Sequence, residues 1–273
     1  LNPRIPNRDK NGAMDFIALT IFPEMFDPFW DHGIIRKAIL DQKITASAIN
    51  IRDYAEGKHS VTDDRPYGGG CGMVMKPAPI AKALEIASKK APRAKRILLT
   101  PQGRTLDNHL VRTLAGLEGL IIVCGRYEGV DQRIAEQCVD YEISVGDYVL
   151  TGGEIAAMAI IDSVTRMIPG VLGSDDSAKT DSFSNNRLKH PQYTRPRTFQ
   201  GEDVPDVLLS GNHEEIEKWR LEMSLASAFM KKPELLKKKD LAPDEITLLK
   251  KWRQTIDNIL LSLHRSDALP GDQ

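Results

Sequence analysis

Four continuous apolar stretches of strand length limit most tightly what this chain can fold into. They are Phe16–Phe22 (FIALTIF), Arg96–Thr100 (RILLT), Leu120–Gly125 (LIIVCG) and Tyr141–Val145 (YEISV). A strand covered on one face alternates apolar with polar residues. A strand covered on both faces is apolar throughout, the pattern of a parallel sheet between two helix layers. Helix-patterned segments separate these runs: Pro77–Ala91 before the second, Thr105–Leu117 between the second and third, and Val130–Cys138 between the third and fourth. The alternation predicts an α/β domain over residues 14–172. A further helix, Glu154–Ile168, is apolar on nearly every face, with Thr151 as candidate cap and Pro169-Gly170 as its stop. Such a helix is expected to be buried, in part against a second subunit.

The flanks differ in character. Leu1–Ala13 is polar and proline-containing and reads as a tag or disordered leader, with the fold starting at Met14. Residues 173–200 are polar, poor in aliphatic side chains and proline-broken, and read as a flexible linker. Residues 201–273 carry helical patterns, the first opening at Asn212 with acidic residues behind it, and predict a small helical domain. No internal repeat is visible. The formal charge of -1 excludes a uniformly basic nucleic-acid binder, so any such contact must be local. Cys71, Cys124 and Cys138 are odd in number and lack C-x-x-C spacing, which fits buried thiols in a reducing cytoplasm. No apolar run reaches the roughly 20 residues of a membrane span.

Glycine-rich turns are the chemical signal. Tyr67–Met73 (YGGGCGM), Cys124–Asp131 (CGRYEGVD) and Val145–Glu154 (VGDYVLTGGE) lie beside the apolar runs, and Thr100–Arg104 (TPQGR) ends the second. Neither G-x-G-x-x-G nor G-x-x-x-x-G-K-[ST] is present. Any one of these turns alone is most simply an ordinary tight turn. Several on the rim of an open parallel sheet, where ligands bind, point to a nucleoside-type ligand without phosphate recognition. Glu128 suits a ribose hydroxyl or a cation.

Eight segments in order resemble the bacterial tRNA (guanine-N1)-methyltransferase family, TrmD, of the SPOUT class. They are TIFPEMF, RPYGGGCGMVMKPAPI, LLTPQGR, VCGRYEGVDQRI, ISVGDYVLTGGEIAAMAIIDSVTRMIPGVLG, DSF, HPQYTRP and VPDVLLSGNHEEIEKWR. The resemblance implies a parallel sheet with a deep trefoil knot at its carboxyl end, although knots are nearly absent from proteins at large. It also implies a small helical tRNA-binding domain and a homodimer whose active site is shared between subunits. The cofactor implied is S-adenosylmethionine, held in the glycine turns. Carried over by motif, its contacts are Leu99, Thr100, Pro101 and Gly103; then Gly125, Tyr127 and Glu128; then Val145, Gly146, Tyr148, Leu150, Gly152 and Gly153.

The implied reaction methylates N1 of the guanine immediately 3′ of the tRNA anticodon. Guanine N1 carries a proton, so the chemistry needs a base and a partner for the charge developing on O6. The resemblance assigns the base to Asp181, from the partner subunit, and the O6 partner to Arg166. His190 competes as a base by residue type. Read alone, Asp181 is a loop aspartate bonding its own turn, and Arg166 a cation at a helix end. Arg187, Lys189, His190, Tyr193, Arg195 and Arg197 lie in a stretch free of acidic residues with interleaved aromatics, which suits tRNA. Arg187 and Lys189 depart from the less basic residues expected there. The family is described as magnesium-dependent; Glu154 and Asp162 are carboxylates that could hold a cation, but no ligand cluster marks a site. Two other readings are another SPOUT RNA methyltransferase and a non-catalytic nucleoside- or RNA-binding module.

Overall fold

The computed structural model describes residues 12–173, 181–184, 187–237 and 241–266, with side chains to 258. The expected leader therefore lies almost wholly outside the described residues, as does the 174–180 part of the expected linker. The chain forms two compact units, residues 1–178 and 179–273.

The first unit is built on five strands: β1 (Met14–Thr20), β2 (Ile44–Asn50), β5 (Lys95–Thr105), β6 (Gly119–Cys124) and β7 (Tyr141–Ser144). They lie in the order β2-β1-β6-β5-β7, and every neighbouring pair is parallel. Alternate residues of β1 and β6 enter two separate cores. Phe16, Ala18, Leu120 and Ile122 face one side, packed with Ile160, Ile161 and Val164. Ile17, Leu19, Ile121 and Val123 face the other, packed with Ile80, Ala83 and Leu84. Two-sided burial is why these strands read as unbroken apolar runs. The edge strand β2 was not legible in that way, because it is only partly covered and mixes buried with exposed positions.

The helices of this unit are α1 (Asp27–Trp30), α2 (Gly33–Leu40), α3 (Pro77–Lys90), α4 (Asn108–Ala115), α5 (Gln132–Gln137) and α6 (Glu154–Thr165). Aspartate side chains start α4 and α5: Asp107 accepts from the Leu110 amide at 2.7 Å, and Asp131 from the Arg133 amide at 3.0 Å. The α6 start differs from expectation. Its N-cap is Gly153, with no side-chain cap bond, not Thr151. Only a glycine fits there, because a Cβ at 153 would sit 2.8 Å from the Cys124 Cα. α6 buries Ala156, Ala157, Ile160, Ile161 and Val164 within its own chain and leaves Ile155 56% exposed. A two-residue ladder pairs β3 (Asp63–Asp64) with β4 (Val74–Met75).

The second unit contains the hairpin β8 (Thr198–Phe199) and β9 (Glu202–Asp203), followed by α7 (His213–Lys231), α8 (Glu234–Lys237) and α9 (Pro243–Ser266). The hairpin turns at Gln200 and Gly201, both in the left-handed region, so the boundary expected between 200 and 201 falls inside it. Asn212 caps α7 through the Glu215 amide.

Candidate active site

The carboxyl ends of β5, β6 and β7 surround a cavity of 400 Å³. Three backbone excursions line it. In the first, β5 pairs with β7 as far as Leu99–Ile143 and resumes at Arg104, again opposite Ile143. The residues between are pushed out of the ladder, and Thr100, Pro101 and Gln102 line the cavity with Leu99. Gly103 is not among the lining residues. A Cβ on it would lie 2.4 Å from the Ile143 nitrogen, so this glycine serves the strand's return against β7.

The second excursion is the turn after β6, where Gly125, Tyr127 and Glu128 face the cavity. Tyr127 has φ 61°, a left-handed conformation that costs a bulky residue energy and marks a position constrained from outside. The chain around Tyr67–Met73 supports this turn from behind. The Glu128 amide donates to the Met73 carbonyl at 2.9 Å, and the Asp131 amide to the Met75 carbonyl at 3.1 Å. Tyr67 and Cys71 are exposed and are not lining residues. The third excursion follows β7 and supplies Val145, Gly146, Tyr148, Leu150, Gly152 and Gly153. It is tied to the second by the Gly153 amide, which donates to the Gly125 carbonyl at 2.8 Å. All residues expected to contact a cofactor, Gly103 excepted, thus share one cavity.

The electrostatic centre of this region went unnoticed in the sequence. Glu154 is fully buried. Its Oε1 accepts from the Thr20 hydroxyl at 2.7 Å and from Arg126 Nε at 3.1 Å. Arg126 Nη2 lies 2.9 Å from Oε2 as an ion pair. The same guanidinium reaches the Thr151 carbonyl at 3.4 Å and lies over the Phe22 ring. Glu154, weighed above as a cation ligand, therefore has a guanidinium in that place. The legible signal was a pair of opposite charges, each directly behind a glycine (CGR, GGE), where apolar elements begin or end. Among the lining residues Arg126 is the single Lys or Arg, and it is committed to Glu154. Beside it, burial and then the Glu154 charge push the Cys124 thiol well above its ordinary value.

The two catalytic candidates fall in different units. Arg166 is the exposed C-cap of α6, at the negative end of the helix dipole, and its amide donates to the Asp162 carbonyl at 3.1 Å. Asp181 belongs to the second unit, and Lys189 Nζ lies 3.0 Å from its Oδ1. Of the residues expected on RNA, three cations are engaged within the unit. Lys189 pairs with Asp181, Arg187 with Glu245 at 3.0 Å, and Arg197 with Asp206 at 3.1 Å. His190 and Tyr193 gather around Trp219, each ring centroid 6.2 Å away. Arg195 is exposed. Among the described residues, no three His, Cys, Asp or Glu side chains come together as a metal site. None of the described helices is long and apolar enough to cross a membrane.

An open parallel sheet with a backbone-lined cleft at its carboxyl edge defines an α/β protein of the small-ligand-binding class. Comparison with known proteins narrows the class. The family model described as "tRNA (Guanine-1)-methyltransferase TrmD" matches residues 14–238, and the chain belongs to that family. A relative from Desulfatibacillum aliphaticivorans, called tRNA (guanine-N(1)-)-methyltransferase, is 48% identical over 258 residues, 94% of this chain and 98% of its own. Proteins of the same name from Geobacter sp. (strain M21) and Dehalococcoides mccartyi are 53% and 48% identical. They cover 82% and 93% of this chain and 90% and 100% of their own.

Proposed function

We propose that this protein methylates N1 of the guanine immediately 3′ of the anticodon in tRNA, using S-adenosylmethionine. One observation carries the reading beyond family membership: the motif residues expected to hold the cofactor, apart from Gly103, converge on one cavity. Its 400 Å³ lies within the usual range for ligand pockets, about 300–1,000 Å³. Its lone guanidinium is spent on Glu154, so it offers a nucleoside backbone amides and carbonyls but no phosphate clamp. That donor set fits S-adenosylmethionine, which has no phosphate. When bound, the cofactor supplies an electrophilic methyl group on a sulfonium.

The chain's own groups then have three tasks. Asp181 takes the N1 proton of guanine, freeing the electron pair that forms the N–CH3 bond as the S–CH3 bond breaks onto sulfur. Arg166 faces O6 and stabilises the negative charge left there. The glycine turns hold the reacting atoms in line, the main source of acceleration in such a displacement. In this reading the turns and β7 form the family's trefoil knot, Asp181 comes from the partner subunit of a homodimer, and the second unit holds the anticodon arm. The target guanine leaves its stack to be reached.

Methyl transfer from labelled S-adenosylmethionine to unmodified tRNA transcripts, mapped by nuclease digestion and mass spectrometry, tests the reading. N1-methylguanosine beside the anticodon is expected. A methyl group elsewhere moves the protein to another SPOUT branch; cofactor binding without transfer leaves a binding module.

A further inference from the structure

We infer that Lys189 is a positioning residue for the proposed base: through it the helical unit sets the orientation of the Asp181 carboxylate. The inference rests on the reading of Asp181 as base. Its structural basis lies entirely within the second unit. Lys189 reaches back over the turn twice. Its ammonium lies 3.0 Å from Asp181 Oδ1, and its amide donates to the Ser182 hydroxyl at 3.0 Å. The backbone closes the same turn, with the Phe183 amide donating to the Arg187 carbonyl at 2.7 Å.

The turn is in turn fastened to two helices. The Ser224 hydroxyl on α7 donates to the Leu188 carbonyl at 2.6 Å. Arg187 is held at 3.0 Å by Glu245 of α9, a carboxylate only 1% exposed. Glu245 is itself fixed, because its Oε2 accepts from the Ala242 amide at 2.7 Å. The segment that carries Lys189 is thus attached to both helices, at Arg187 and at Leu188. The Asp181–Lys189 pair keeps 25% and 35% side-chain exposure, and an ion pair so exposed contributes little to stability. What it does supply is direction, by holding an ammonium against one oxygen of the carboxylate. A base must meet its proton in a narrow geometry, and a displacement of about 1 Å is worth up to about a hundredfold in rate.

The same observation alters what Lys189 does for RNA. An ammonium held on Asp181 is not free to neutralise a phosphate. Its loss should therefore appear in the chemical step and not in tRNA affinity.

The test compares single-turnover rates and KM values of the full-length protein and its variants Lys189→Ala, Lys189→Arg, Asp181→Asn and Lys189→Ala/Asp181→Asn. Both side chains are partly exposed, so folding is not at stake. Lys189→Ala is expected to lower the rate roughly tenfold to a hundredfold, with KM for tRNA and for S-adenosylmethionine unchanged. Lys189→Arg should restore most of it. In the Asp181→Asn background, removing Lys189 should cost nothing further. A loss confined to the KM for tRNA and steepened by salt would assign Lys189 to phosphate binding and overturn the inference, as would equal losses in both backgrounds. Full activity of Asp181→Asn would remove the base reading itself, an outcome distinct from a dead Asp181→Asn beside an unaffected Lys189→Ala.

Discussion

At the scale of single residues, the cavity is set by close approaches that leave no room for substitution. A methyl group on Gly153 would press on the Cys124 backbone, which cannot move aside as a flexible side chain would. Gly153→Ala is expected to cost about 2 kcal/mol of stability in chemical denaturation and to weaken S-adenosylmethionine binding in calorimetry. Tyr127 is the opposite case. Its left-handed backbone is relieved by glycine, so Tyr127→Gly should leave the melting temperature within a few degrees of the parent, because relief of strain offsets the added chain entropy. The same variant should bind the cofactor more weakly, having lost a lining ring. The thiols sort by environment. Maleimide added to the folded protein should label exposed Cys71 first. Cys124, buried and with its thiol held protonated, should react only on unfolding. Mass spectrometry of timed samples checks the order.

At the scale of elements, the sheet edge depends on one carboxylate. Asp140 joins β5 to the start of β7: its Oδ2 accepts from the Arg96 amide at 2.8 Å and from Arg96 Nε at 3.1 Å. Burial raises the Asp140 carboxyl, but the hydrogen bonds and charge of Arg96 outweigh it and hold the group below the ordinary aspartate range. A carboxyl depressed in the folded state stabilises above its unfolded pKa, and that contribution is lost as pH falls through the folded value. Asp140→Asn should therefore cost about 1 kcal/mol at pH 7, a modest amount because solvent screens the pair. The difference should shrink below pH 4 and vanish under the depressed folded pKa. Urea titrations of both proteins at neutral and acid pH measure it. The elements themselves were largely legible, because two-sided burial writes itself into β1, β6 and residues 97–99 of β5 as apolar runs, with helical patterns between them. β2 escaped because its exposed and polar positions break up any apolar run, and the interruption of β5 escaped because TPQGR reads locally as a strand end.

At the scale of the whole molecule, the proposed shared site makes a prediction that no single chain could satisfy. Arg166→Ala and Asp181→Asn should each lower turnover by orders of magnitude, yet mixed dimers of the two should regain activity, because one of their two sites takes Arg166 and Asp181 from unsubstituted positions. Continued inactivity of the mixed dimers, or sedimentation of the protein as a monomer, would place both residues on one chain or dismiss one of them. What the sequence determined by itself is what depends on neighbours in the chain: the layered α/β pattern, the glycine turns, the motifs that mark the family. Tertiary structure decided what depends on residues far apart in number. It set Glu154 against Arg126 and Thr20, placed Gly103 tight against the backbone of β7, and brought Arg187 onto Glu245. A charge in a sequence names a kind of chemistry, but its partner is chosen by folding, where an opposite charge brought within about 3 Å by the backbone outcompetes water only if both are held in place.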